Sequence, residues 1–296
     1  MIEEIKKLKV GKVVANPKMC DYTTYKVGGN ALALVSPDSI EDFIKLLEYL
    51  KNNNVKYKII GNGSNLIFKD EPYNGIIIKL DALDKINIDG VVVTVGAGYS
   101  LVKLCMKVAK LGLAGLEFAA GIPGTVGGAI FMNAGAYKSD MGYIVSEIKV
   151  LTPSLEVKTM YNRDLDFHYR SSFLQKNPEY ICLEAKIVLK RGDAEAILEV
   201  IEDRKQRRLL SQPLEYPSAG SVFRNPENDF AGRLIEELGY KGKHIGGAFV
   251  SEKHANFIIN KEHATASDVR NLIMEIKEKV KDKYNIDLIV EQEFVD

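Results

Sequence analysis

Apolar residues recur at two spacings along this chain, and the switches between them mark out its elements. Residues 31–35 (ALALV) form a short apolar run, which predicts a strand ending before Pro37. Residues 39–49 place Ile40, Phe43, Ile44, Leu46 and Leu47 on one stripe, as a helix does. Residues 57–60 predict a strand that runs into the glycine turn GNGSN, and residues 75–80 predict another. Asp89-Gly90 between residues 86–88 and 91–95 predicts a type I′ hairpin. Residues 100–111 predict a helix with Ser100 as its N-cap.

Residues 112–142 follow neither period and hold 8 of the 24 glycines. Such density implies backbone in unusual φ/ψ, or backbone that something approaches closely. Strands are expected again at 144–152, 157–160 and 181–189, then a long charged helix at 193–210. Beyond Pro213 come a helix near 231–238, strands within 248–259, a helix at 267–284 and a last strand over 286–295. This order predicts an α+β fold rather than a doubly wound sheet. Four stretches are expected: 1–80, 81–192, 193–284 with a linking helix, and 285–296 as a strand returning toward the active site.

Composition narrows the classes. Lys plus Arg (40) balances Asp plus Glu (40), which argues against a nucleic-acid binder. The three cysteines, Cys20, Cys105 and Cys182, are widely spaced and form no C-x-x-C pair, so reduced thiols are expected. The four histidines have no metal-ligand spacing, so no metal is expected. The N-terminal residues 1–10 lack an apolar h-region, and no run approaches the length of a membrane span. A cytoplasmic protein without a membrane partner is the expectation. Oligomeric state is open.

Two glycine segments carry the candidate chemistry. In the first, Gly61, Asn62, Gly63, Ser64 and Asn65 follow a strand, and such a loop can turn several N–H groups toward one anion. No Lys follows, which excludes a Walker A loop. Leu66 stands where a third Rossmann glycine belongs. In the second, Pro123 and Gly124, Thr125, Gly127 and Gly128 let backbone lie flat against a ligand. Two such loops suggest a dinucleotide, one loop on the pyrophosphate and the other along its flank.

Six pieces in order, YKVGG, GNGSN, GIPGTVGGAIFMNAGAY, HYRSSFL, PSAGSVFRNP and AGRLIEELGYKGKHIGGAFVSEKHANFIIN, resemble the UDP-N-acetylenolpyruvoylglucosamine reductases (MurB). They span about residues 20–291, and the short connection after Tyr180 is similar to that family's compact second subclass. The resemblance implies two FAD-binding subdomains of the vanillyl-alcohol-oxidase (PCMH) type and a smaller α+β substrate domain. It implies FAD as cofactor, NADPH as reductant and a UDP-sugar as substrate, whose enolpyruvyl group becomes the lactyl ether of UDP-N-acetylmuramate.

The same resemblance assigns Ser221 as proton donor, Arg170 as the group that grips the substrate carboxylate, and Glu291 as its acidic partner. Glu293 competes with Glu291, since both fall on one face of a regular strand, and Gln292 stands where an aliphatic residue is common. Ser218 is expected to serve the local turn. Arg224 and Asn225 are expected on the sugar nucleotide, although a capped loop before the next helix would also use them. His254 is expected to shape the substrate domain. Residues 204–208 are expected to offset a helix dipole, and residues 22–25 are candidates to flank the flavin ring. A flavin oxidase of the same fold, or a sugar-nucleotide-binding module without turnover, is the competing reading. The oxidase gives no reason for the C-terminal SAGSVF and KHANFIIN segments, and the module would not need Ser221, Arg170 and Glu291 together.

Overall fold

A computed structural model describes residues 1–296. The chain divides into two compact units, each built from several stretches. One holds Met1–Ala15, Ala33–Gly61 and Gly75–Gln206, and the other holds Asn16–Leu32, Asn62–Asn74 and Arg207–Asp296. Residues 16–32 and 62–74, read from sequence as part of the first stretch, therefore cluster with the C-terminal third. The boundary also falls inside the Ala194–Ser211 helix, which the sequence reads as a simple bridge.

The first unit rests on two sheets. In the four-stranded one the order is Gly11–Ala15, Ala31–Pro37, Tyr73–Lys79, Tyr57–Ile60, with an antiparallel first pair and a parallel last pair. Ile76, Ile77 and Ile78 are all fully buried, as expected for a strand covered on both faces. The five-stranded sheet is antiparallel, in the order Val157–Tyr161, Val145–Leu151, Ile181–Val188, Val92–Gly96, Ile86–Asp89. The Leu101–Lys110 helix buries Leu101, Leu104, Cys105 and Val108 in the same core, at the spacing of one helix face. The Ser100 hydroxyl caps it by accepting from the Lys103 N–H at 3.4 Å, and Ser39 caps the Ile40–Asn52 helix through Asp42 N–H at 3.0 Å.

The second unit has a three-stranded antiparallel sheet, His244–Ile245, Ala248–Val250 and Ile258–Asn260, and the long Ala266–Tyr284 helix. That helix buries Val269, Leu272, Ile273, Ile276 and Val280, again one face. Thr265 and Asp268 form a reciprocal cap at its start. A separate parallel pair joins Leu66–Phe68 to Glu293–Val295.

Four expectations from sequence need correction. The 31–35 strand runs on through Pro37, because Pro37 opposes Gly11 at the strand's end, where a missing N–H costs little. The 86–95 hairpin turns at Gly90-Val91, since Asp89 pairs with Val92; glycine takes the first central position, φ +59°, which is the II′ arrangement. The glycine-rich 112–142 stretch contains a helix, Val126–Phe131. The last strand is only Glu293–Val295, because the chain changes partner just before it.

Cys105 and Cys182 are buried thiols whose pKa values burial pushes up to about 12. Cys20 is partly exposed, and none of the three is bonded to another. At pH 8 the native protein should react with a charged disulfide reagent at Cys20 alone, and at all three sites once unfolded. Fast reaction of two or more thiols in the native state would contradict the buried placement.

Candidate functional site

The glycine segments divide differently from their appearance in sequence. Gly61 belongs to the first unit, with Thr125, and Asn62–Asn65 to the second. A Cβ on Gly61 would stand 2.6 Å from the Thr125 hydroxyl oxygen, so residue 61 has to be glycine for the two segments to meet. Thr125 caps the Val126–Phe131 helix by accepting from Gly128 N–H at 3.3 Å. The N–H groups of Val126 and Gly127 donate to the carbonyls of Tyr99 (2.9 Å) and Ala97 (2.8 Å). A Cβ on Gly127 would lie 2.9 Å from that of Ala97. The second segment is thus not an open ring of donors: its helix-start amides are spent inside the protein, and its glycines allow close packing. In the first segment Gly63 sits at φ +62°, and the N–H groups of Asn62, Gly63 and Ser64 donate to no group of the chain. Of the two loops, this one has amides to offer an anion.

Arg170 lies in the first unit at the tip of a tight turn closed by reciprocal hydrogen bonds between His168 and Ser171, at 3.0 and 3.1 Å. Its φ is +53°, a conformation that a non-glycine residue adopts only where its surroundings hold it. The guanidinium donates from Nη2 to the Gly135 carbonyl at 2.9 Å and lies over the Tyr169 ring. Asn133, 1 % exposed, braces the turn: its Nδ2 donates to the His168 carbonyl at 2.8 Å and its Oδ1 accepts from Gly142 N–H at 2.9 Å. In sequence, Asn133 is a polar amide among small residues, Met132-Asn133-Ala134-Gly135-Ala136. Its left-handed φ of +41°, a conformation Asn tolerates, explains why the amide is needed there.

Ser221 and Glu291 belong to the second unit and lie on neighbouring strands. Phe223 and Val290 face each other in an antiparallel bridge. Glu291 N–H donates to the Val222 carbonyl at 2.8 Å, and Arg224 N–H to the Ile289 carbonyl at 2.9 Å. Gly220, at φ +75°, turns the chain immediately before Ser221. Neither the Ser221 nor the Ser218 hydroxyl is hydrogen-bonded to another group of the chain. Asn65 Nδ2 donates to the Glu291 carbonyl at 3.0 Å, tying the first glycine loop to the carboxylate-bearing strand. Asn256, 4 % exposed, holds Phe223 from both sides, with Oδ1 accepting from its N–H at 3.0 Å and Nδ2 donating to its carbonyl at 2.8 Å.

Asn225, expected on the sugar nucleotide, has its Oδ1 on Ala231 N–H at 3.1 Å and caps the Ala231–Glu237 helix. His254 is half-buried, and burial lowers its pKa. Its Nδ1 lies 3.2 Å from Asn256 N–H, which fits a neutral ring accepting there. Tyr25 is fully buried in the second unit's core, so of the 22–25 group it is not a ring-flanking surface. Arg204 lies over the Tyr137 ring, within a helix that runs on to Ser211. No cluster of His, Cys, Asp and Glu able to hold a metal ion is present. No helix is long and apolar enough to cross a membrane.

Comparison with known proteins places these features. Residues 31–160 match the FAD binding domain family, and residues 212–295 match the C-terminal domain of UDP-N-acetylenolpyruvoylglucosamine reductase. The chain is 45 % identical over its full length to the UDP-N-acetylenolpyruvoylglucosamine reductase of Bacillus subtilis, covering 98 % of that protein. It is 46 % identical, at the same coverage, to that of Bacillus licheniformis. The crystal structure of the reductase (MurB) from Thermus caldophilus superposes with a TM-score of 0.83 at 34 % identity, over 96 % of this chain and 98 % of that one.

Proposed function

Because the chain belongs to the UDP-N-acetylenolpyruvoylglucosamine reductase family, with the PCMH-type FAD-binding fold and a C-terminal domain, we propose that it reduces the enolpyruvyl ether of a UDP-sugar. The products are the lactyl ether, UDP-N-acetylmuramate, and NADP⁺. The observation that carries the residue assignments is the Glu291 N–H to Val222 carbonyl bond, 2.8 Å, which sets a carboxylate strand against the strand bearing Ser221.

FAD, if bound, would supply the hydride chemistry that links NADPH to one alkene carbon. The glycine loop fits the dinucleotide: the amides of Asn62, Gly63 and Ser64 are available to its pyrophosphate, and Gly61 has no side chain to obstruct Thr125. In the first unit, Pro123, Gly124, Gly127 and Gly128 allow close packing at the start of the Val126–Phe131 helix rather than offer donors. Addition of hydride leaves negative charge on the adjacent carbon and its carboxylate. Arg170 neutralises that carboxylate through a two-pronged ion pair, its own backbone fixed by the His168–Ser171 turn. Ser221 gives its hydroxyl proton to the adjacent carbon and regains one from solvent, so one hydride and one proton saturate the double bond. Glu291 is the acidic group of the reaction, carried on the strand beside Ser221. Arg224 adds charge for the diphosphate, and Asn225 contributes through the loop that it caps.

We place the enzyme in the cytoplasm on the ground of its unpaired thiols. The purified protein should be yellow, bleached by NADPH without oxygen, and recoloured by the enolpyruvyl sugar nucleotide. A colourless protein that takes up no FAD would remove the reading, and recolouring by oxygen alone would favour an oxidase.

A further inference from the structure

The turn that presents Ser221 is held by a side chain with no assigned role. Gln292 is 4 % exposed. Its Nε2 lies 3.1 Å from the Ala219 carbonyl, 3.2 Å from that of Gly220 and 3.4 Å from that of Ser221. Three carbonyls can be met only by the amide's NH₂ end, so its orientation is fixed by chemistry. We propose that Gln292 is a positioning residue that sets the Ser221 hydroxyl for proton delivery, a role that rests on reading Ser221 as the donor.

Two features argue that this grip serves the reaction rather than the fold. Burying an amide costs free energy unless its groups are bonded, and beyond the three turn carbonyls Gln292 meets only the hydroxyl of the fully buried Tyr25. An aliphatic residue would fill the site without that cost. The gripped turn is also open at its tip. Gly220 sits at φ +75° with nothing within 4 Å of where a Cβ would be, and the Ser221 hydroxyl bonds to nothing in the chain. The backbone bridge from Ser221 to Phe257 holds one side of the turn, and Gln292 holds the carbonyls. Because Gln292 directly follows Glu291, one strand fixes both the carboxylate and the turn that bears the acid.

The test is a pair of half-reactions on the flavin-loaded enzyme, followed by rapid mixing. Gln292→Met keeps the side chain's length and removes its donors. Bleaching by NADPH should stay within about twofold of wild type, recolouring by the enolpyruvyl sugar nucleotide should slow roughly 10–100-fold, and substrate KM should hold. In a Ser221→Ala background the same change should cost less than about twofold, because the hydroxyl it positions is gone. Wild-type recolouring by Gln292→Met, or an equal loss in both backgrounds, would overturn the proposal. If Ser221→Ala alone recolours normally, the donor assignment itself fails, and that arm reports it separately. Should Gln292→Met not fold, Gln292→Asn, too short to reach three carbonyls, takes its place. Hydrogen exchange of the wild-type Gln292 amide needs no variant: strong protection supports the grip, and exchange at the rate of a free glutamine sinks it.

Discussion

Ser221→Ala is expected to leave bleaching by NADPH near its wild-type rate and to slow recolouring by the enolpyruvyl sugar nucleotide by about 10²–10⁴-fold, the range that a general acid contributes. The variant removes a single oxygen that bonds to no group of the chain. The turn around it is fixed by backbone atoms and by Gln292, so stability should change by no more than about 0.5 kcal/mol. A thermal melt and the flavin content of the purified variant check that point first. Stopped-flow absorbance then separates the two half-reactions. A proton donor matters only after hydride has reached the substrate, so the loss has to fall on the second. If both half-reactions run at wild-type rates, Ser221 does not supply the proton. If both slow together, the damage lies in holding the cofactor, and the assignment is equally lost.

What sequence reveals here depends on how local the cause is. The 57–60 strand and the Ser39 and Ser100 caps are readable because a few adjacent residues decide them. The Asp89-Gly90 pair signals a turn correctly, but Gly90 can occupy either central position, and strand pairing chooses. Glycine density around 121–128 reads as a ligand loop. None of Gly121, Gly124, Gly127 and Gly128 has a positive φ, and Gly127 is there to let the helix start approach Ala97. Density alone does not distinguish a backbone approached by a ligand from one approached by another strand. Arg170, Ser221 and Glu291 were singled out through resemblance, since a lone arginine, serine or glutamate has no periodic signature. The roles of Asn133, Asn256 and Gln292 are hidden for a different reason. Their roles depend on carbonyls 35, 33 and 71 to 73 residues away, a distance over which sequence pattern carries no information.

Glu291→Gln and Glu293→Gln should part sharply, the first slowing recolouring by about 10²–10³-fold and the second by less than about threefold. Alternation along a regular strand puts both on one face, but the chain is not regular there. Glu291 N–H donates to Val222, beside Ser221, while Glu293 N–H donates to the Asn65 carbonyl and Glu293 pairs with Leu66. The change of partner occurs at Gln292, whose side chain turns inward to the Ser221 turn. Glu293 faces a different group: Tyr73, whose hydroxyl is pushed up to about 12, first by burial and then by the Glu293 charge. Removing that charge in Glu293→Gln should therefore bring Tyr73 ionisation to lower pH, visible in an ultraviolet titration, while turnover persists. Glu291→Gln should leave that titration unchanged. Normal recolouring by Glu291→Gln together with a large loss in Glu293→Gln would move the acidic group of the reaction to residue 293, and with it the strand face on which the substrate carboxylate is read.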